Sequence, residues 1–447
     1  MERYEKYKDS GVEWIGEIPE GWYIEKLKYI ADAHPSNIDK KSIDGEETVF
    51  LCNYVDVYNN EYIDSSLSFM KATANQDKIQ KFILKKDDVI ATKDSETPDD
   101  IGNPALVIEN LDNVVCGYHL THIKPKAISG RYLFRYFQTK YLRSYFEVSA
   151  NGITRYGLGV DKFNSALILN PPQGQQTAIA NYLDRKTAEI DKLIAQKERL
   201  IELYEEERTA IINQAVTKGI DPDVRLKDSG IEWLGEIPEG WEVKKLKYMA
   251  DARPSNIDKK TRDDEDIVFL CNYVDVYNNE YIDSSLSFMK ATANKDQIEK
   301  FILKKDDVIA TKDSETPDDI GNPALVVENL DNVVCGYHLT HIKPKAISGK
   351  YLFRYFQTKY LNSYFEVSAN GITRYGLGVD KFNSALILVP SISDQTAIIQ
   401  YIETETARIN AKIAKTKKII TLQKEYRTAL ISEVVTGKIK VTKETTP

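Results

Sequence analysis

Two polar loops carry the side chains best suited to reading a nucleic acid. Asn151-Gly152-Ile153-Thr154-Arg155-Tyr156-Gly157 puts Asn151, Thr154, Arg155 and Tyr156 on one short turn, with Lys162 just beyond it. Arginine can pair bidentately with guanine and asparagine with adenine, so such a turn can discriminate bases. Lys93-Asp94-Ser95-Glu96-Thr97-Pro98-Asp99-Asp100 follows an expected strand, and its Lys93, Ser95 and Thr97 can reach phosphate or base edges. Both loops recur 219 residues later, giving Lys312, Ser314 and Thr316, then Asn370, Thr373, Arg374, Tyr375 and Lys381. The competing reading is that they are ordinary surface turns.

Charge around the second loop supports the first reading. Residues 124–162 hold eight Lys or Arg and two acids, a net +6; the copy at 343–381 holds seven and two, a net +5. The whole chain carries −8, so it is no indiscriminate polyanion binder, but a local basic stretch is what phosphate contact requires. Tyr132, Phe134, Tyr136, Phe137, Tyr141, Tyr145 and Phe146 interleave with these charges at helical spacing. They predict the core face of one helix, with the basic residues beside them either on phosphates or simply solvated.

Other chemistries find less support. Cys116-Gly117-Tyr118-His119-Leu120-Thr121-His122 suggests zinc, but flanking Val114-Val115 and Ile123 predict a strand. In a strand His119 faces away from Cys116 and His122, and a closed zinc site needs a fourth ligand. Asn170-Pro171-Pro172-Gln173 is close to the Asn-Pro-Pro-aromatic motif of adenine methyltransferases, but the aromatic is missing and the copy reads Leu388-Val389-Pro390-Ser391. No glycine-rich loop for a methyl donor or for ATP accompanies it. The expectation is a protein with no catalytic residue, cofactor or metal of its own.

The elements that must position these loops are themselves duplicated. Lys8-Asp9-Ser10-Gly11-Val12-Glu13-Trp14 returns as Lys227-Asp228-Ser229-Gly230-Ile231-Glu232-Trp233, and the match runs without a gap to Tyr156 and Tyr375. Each copy first mixes strand-like runs, such as residues 49–57 and 88–92, with turns at Asn59-Asn60, Ile101-Gly102-Asn103-Pro104 and Asn151-Gly152. A run of about 42 residues without Gly or Pro follows, from Gln175 to Val216, with Ile179, Leu183, Ile190, Ile194, Ile201, Tyr204, Ile211 and Ala215 in a heptad-like stripe. Ile398, Ile402, Ile409, Ile413, Ile420, Leu430 and Val434 repeat the stripe, and each helix should stop near a glycine, Gly219 or Gly437. Lone helices of this length are marginal in water, so antiparallel pairing is the simplest expectation. Adjacent pairs such as Leu193-Ile194 and Leu200-Ile201 widen the stripe beyond what two helices need. Leu193, Leu200, Leu203, Ile212, Ile419, Leu422 and Ile431 are therefore candidates for docking a partner protein; the alternative is packing on the chain's own modules.

Bulk properties bound the rest. A chain of 447 residues accommodates two or three domains, and the repeat sets the division. Four cysteines, Cys52 with its copy Cys271 and Cys116 with Cys335, are too few for a disulfide framework and predict a reducing, cytoplasmic setting. The opening residues lack an apolar signal region, and no run approaches the roughly 18 apolar residues of a membrane span, so no membrane partner is expected.

The motifs Glu13-Trp14-Ile15-Gly16-Glu17-Ile18-Pro19, Pro171-Pro172 with Gln175-Gln176-Thr177-Ala178-Ile179, Ile190-Asp191-Lys192-Leu193-Ile194, and Arg427-Thr428-Ala429-Leu430-Ile431 with Thr436-Gly437-Lys438-Ile439 occur in this order along the chain. In this respect the whole chain resembles the specificity subunit of Type I restriction-modification systems. The resemblance implies an α+β fold: two similar globular target recognition domains joined by two long antiparallel coiled-coil helices with pseudo-two-fold symmetry. The expected divisions are 1–172 for the first domain, 173–218 for the first helix, 219–391 for the second domain, 392–436 for the second helix and 437–447 for a tail. It also implies double-stranded DNA, two methyltransferase subunits and endonuclease subunits as partners. Family members usually carry two different recognition domains, whereas these are near copies, so an inverted-repeat DNA site is expected. The second helix opens on Pro390-Ser391-Ile392-Ser393-Asp394-Gln395 in place of the Pro-Pro motif, leaving that hinge open. The rival expectations are a self-contained DNA-modifying enzyme and a coiled-coil scaffold that binds no nucleic acid.

Overall fold

Short apolar runs build a five-stranded and a three-stranded sheet in each half of the chain, with three two-stranded ribbons beside them, and long stretches almost free of Gly build the helices. The structure is a computed structural model describing residues 2–232 and 234–441. Trp233 of the repeated opening motif and tail residues 442–447 lie outside the described residues. Two units emerge: one comprises Met1–Glu198 with Lys418–Pro447, the other Arg199–Lys417.

In the first unit a five-stranded sheet runs in the order Ala31–Pro35, Leu120–Pro125, Val89–Thr92, Pro104–Val107, Tyr62–Ile63. Its central strands Val89–Thr92 and Pro104–Val107 are buried throughout, which is why they read as unbroken apolar runs rather than alternating ones. Glu47–Cys52 lies between Val114–Cys116, parallel, and Met70–Ala74, antiparallel, and places Cys52 opposite Cys116. Val49, Leu51, Val57, Phe82, Ile90 and Val115 fill the core these sheets share. The second unit repeats the plan with Ala250–Pro254, Leu339–Pro344, Val308–Thr311, Pro323–Val326 and Tyr281–Ile282.

Three sequence expectations are corrected. The strand expected over 49–57 ends at Cys52 and becomes a helix, Tyr54–Asn59, because Asn53 and Asp56 form a reciprocal capping box. The single aromatic helix is two, Gly130–Phe137 and Lys140–Ser149, broken where the Thr139 side chain accepts the Leu142 N–H. The strand expected through Cys116–His122 is two strands joined by a turn, with Gly117 N–H donating to Cys52 O at 2.8 Å and Leu120 N–H to Gly117 O at 3.1 Å.

The core-face reading of the aromatics holds for Tyr132, Phe134, Tyr136, Phe137 and Phe146, all buried. Phe146 packs 5.5 Å from Phe137 and 5.0 Å from Phe163, ring centre to ring centre. Gly102, at φ +74, makes room for it: a Cβ there would lie 2.4 Å from the Phe146 ring. Truncating Phe146 to Ala should cost about 3–5 kcal/mol.

The long helices span Gln173–Lys218 and Ile392–Val435, and Gly219 and Gly437 beyond their ends have positive φ. Within each unit the helix segments pair antiparallel. In the first, Arg427 meets Asp191 at 2.9 Å and Lys424 approaches Glu198 at 3.9 Å; in the second, Arg408 meets Glu207 at 3.2 Å while Lys412 sits over the Tyr204 ring. The expected stripe is the packed face, with Ile179, Leu183, Ile190, Ile194, Ile398, Ile402, Ile409 and Ile413 buried.

One amide joins helix start to module in both units. Gln176 Nε2 donates to Pro171 O at 2.8 Å while its Oε1 accepts the Ser129 N–H at 2.7 Å. Gln395 does the same with Pro390 O at 3.0 Å and the Ser348 N–H at 2.9 Å. The second hinge therefore keeps its joint despite the altered sequence, with Ser391 Oγ accepting the Asp394 N–H to cap the helix.

Candidate nucleic-acid interface

The two loops singled out from sequence meet in space. Asp94–Ser95 pairs antiparallel with Tyr156–Gly157, and Leu158 N–H donates to Lys93 O at 2.7 Å. Asn151 and Gly157 exchange both backbone hydrogen bonds, at 3.0 and 2.8 Å, closing residues 151–157 into a tight loop. Asp313–Ser314 and Tyr375–Gly376 form the same ribbon in the second unit.

A chain of polar contacts braces it. Asp94 Oδ2 accepts from Lys93 Nζ at 2.8 Å and from His119 Nδ1 at 2.9 Å. Burial pushes the Asp94 carboxyl up, but those two partners outweigh it and hold the group below the usual carboxylate range. Donation from Nδ1 leaves His119 Nε2 as an acceptor toward Arg155 Nη2, at 3.4 Å. Lys93 Nζ also lies 4.4 Å from the centre of the Tyr118 ring. Lys312, Asp313, His338 and Tyr337 repeat the Lys–Asp–His–Tyr arrangement.

The predicted site residues divide accordingly. Asn151, Thr154, Arg155 and Thr97 are exposed, as are Asn370, Thr373, Arg374 and Thr316; Tyr156, Tyr375, Lys162 and Lys381 are half-buried. Ser95 and Ser314 are buried, each hydroxyl accepting the Thr97 or Thr316 N–H at 3.3 Å, so they shape the loop rather than face a ligand. Lys93 and Lys312 are spent largely on their aspartates. Sequence reasoning missed Asp94, Tyr118 and His119; Gly117 was the turn signal that would have separated Tyr118 and His119 from the strand.

The basic stretch is also only partly a surface feature. Arg135 is fully buried, with Nη2 donating to Asp184 at 2.8 Å, Thr187 at 3.0 Å and the Tyr62 hydroxyl at 2.6 Å. Arg131 Nε meets Asp184 at 3.1 Å. These cations fasten the module to the long helix, which corrects their reading as phosphate contacts or solvated charges.

Among the partner-docking candidates, Ile212 and Ile431 are corrected: both are buried, Ile212 in the core with Trp241 and Tyr351. Leu200 and Ile419 are half-buried. Leu193, Leu203 and Leu422 stand 46%, 44% and 52% exposed on their helices. In the first unit a groove of about 1100 Å³ opens between Trp14, Tyr141, Tyr145, Val148 and the second helix at Thr428 and Ser432.

The residues of the zinc suggestion have separate uses: His119 bonds Asp94, and buried His122 bonds Asp88 at 2.7 Å. Among the described residues no His, Cys, Asp or Glu cluster could hold a metal ion, and no helix is long and apolar enough to cross a membrane.

Two mixed modules, each carrying the same loop ribbon and each seated on an antiparallel helix pair, define a class of duplicated recognition protein. Residues 19–203 and 238–421 each match the Type I restriction modification DNA specificity domain, and the chain belongs to that family. It is 22% identical over 448 residues to the Type I restriction enzyme MjaVIII specificity subunit of Methanocaldococcus jannaschii, covering 95% of this chain and 94% of that one. It is 23% identical over 264 residues to the EcoBI specificity subunit of Escherichia coli, covering 57% and 54%. In fold it is similar to a chain from a structure concerned with complex assembly of the type I R-M system, at TM-score 0.70, 14% identity and coverage of 94% and 99%.

Proposed function

We propose that this chain is the non-catalytic, sequence-reading subunit of a Type I restriction-modification complex and that it reads the same short half-site twice, in opposite orientations. One observation carries the reading: residues 93–100 and 151–162 are letter-for-letter the same as 312–319 and 370–381, and each pair forms the same ribbon. The same side chains on the same backbone recognise the same bases. Inversion is the arrangement expected of two like modules carried on antiparallel helices, and within each unit the helix leaving the module is antiparallel to the one that ends on it. Two-fold readers take two-fold sites with a fixed gap.

Chemistry is left to partners. Two methyltransferase subunits would dock on the helices through the exposed Leu193, Leu203 and Leu422, with endonuclease subunits joining them. Replacing the three leucines by Ser should weaken copurification of the methyltransferase while both modules stay folded. Mapping methylated adenines in cells expressing the assembled complex tests the site. A motif followed by a gap and its reverse complement is expected; unrelated halves would overturn the inverted-repeat reading. Arg155→Ala and Arg374→Ala should relax the same position in opposite halves, by about 1–3 kcal/mol each for a bidentate contact.

A further inference from the structure

We infer that Ile153 and Ile372 read the 5-methyl group of a thymine, one in each half-site. The inference rests on the DNA-reading role proposed above and adds a contact type absent from its polar list. Both isoleucines are 92% exposed, among the most exposed large apolar side chains in the chain. An isoleucine exposed to water gains nothing there, and this loop is tightly closed. Gly152, at φ +149, lies so close to the Arg155 carbonyl that a Cβ would sit 2.0 Å from its oxygen, and the Asn151–Gly157 bonds close the loop behind it. Ile153 stands out from that closed turn into solvent. The second unit repeats the arrangement: Gly371 has φ +151, and a Cβ would sit 1.9 Å from Arg374 O.

Position defines the ligand. Ile153 is flanked by exposed Asn151, Thr154 and Arg155, groups suited to base edges. An apolar side chain among them has one apolar feature to meet in the major groove, the thymine methyl.

The test uses the full chain, alone and with its methyltransferase subunits, on a duplex bearing the mapped site. Each thymine is replaced in turn by deoxyuridine, which removes only the methyl. One position per half-site should lose binding by about fourfold, the worth of one buried methyl-sized group. Ile153→Ala with Ile372→Ala should show about the loss seen when both of those thymines are replaced together, and no further loss on that doubly replaced site, a non-additivity expected only of direct contact. Intact specific binding with a flat deoxyuridine scan overturns the inference while leaving the DNA-reading role in place. So does methyl sensitivity that survives the double substitution. A flat scan accompanied by brightening of 2-aminopurine beside the loop, lost in the double substitution, would replace methyl reading with a wedge between bases. Absence of any specific DNA binding would remove both the inference and the role on which it rests.

Discussion

The two units carry the same paired loops but differ in how the modules are anchored. In the first, buried Arg135 is met by Asp184, Thr187, Tyr62, Gln138 and Glu61, and Glu61 also takes Arg427 from the second long helix at 2.8 Å. In the second, Arg354 meets Glu280, Gln357 and the Tyr281 hydroxyl, and Arg208 meets Glu280 at 2.9 Å. The counterpart of Asp184 is Glu403, which pairs with Lys350 at 2.8 Å, and the counterpart of Asp191 is Asn410. The paired loops are thus copied without change while the helix side of the anchor differs, at Asp184 against Glu403 and at Asp191 against Asn410.

Substitutions at the anchors should break the parity of the two units. Arg135→Ala removes the centre of a buried network and should destabilise the first unit by about 3 kcal/mol; Arg354→Ala should cost the second about 2 kcal/mol. Hydrogen exchange resolved by unit reads both, and equal losses would show that the Asp184 contact adds nothing. Asp184→Asn should cost about 2 kcal/mol, against about 0.5 kcal/mol for Glu403→Gln, whose partner is half exposed. The same exchange experiment checks it.

Where the copies agree, effects should match. Asn53→Ala and Asn272→Ala each delete a capping box and should each cost about 1 kcal/mol, measured by denaturant unfolding. Burial holds His122 and His341 below the ordinary histidine value of 6.5, against the pull of Asp88 and Asp307. The unfolded chain therefore takes up these protons first, and stability present above about pH 6.5 is lost as pH falls below it, in both units. His34 is lowered too and is replaced by Arg253, so the first unit should be slightly the more acid-sensitive. A titration followed by hydrogen exchange would reveal that smallest difference.

What could be read in sequence was what is local or repeated. Helix lengths, their apolar faces and the stop at Gly219 follow from periodicity and one residue type. The Asn53-x-x-Asp56 cap was also local, but the β-branched run around it masked it. The pairing of Ser95 with Tyr156 was not legible, because sheet register between segments some 60 residues apart depends on everything folded between them. Nor was the true use of Arg131 and Arg135: their shared counter-charge, Asp184, lies about 50 residues away, and a charge count cannot tell a paired cation from a free one.

The first unit closes only with the far end of the chain. Tyr132 donates its hydroxyl to Val435 O, Tyr7 to Gly437 O, and Lys440 N–H to Glu2 O, whereas the second unit is one uninterrupted stretch, Arg199–Lys417. During synthesis the order of completion is therefore the reverse of the order of translation. The later-made unit has all its residues while the earlier one still waits for its last helix turns, exposing the surface they will cover. A ribosome that stops after residue 417 releases one finished reader and one unfinished one.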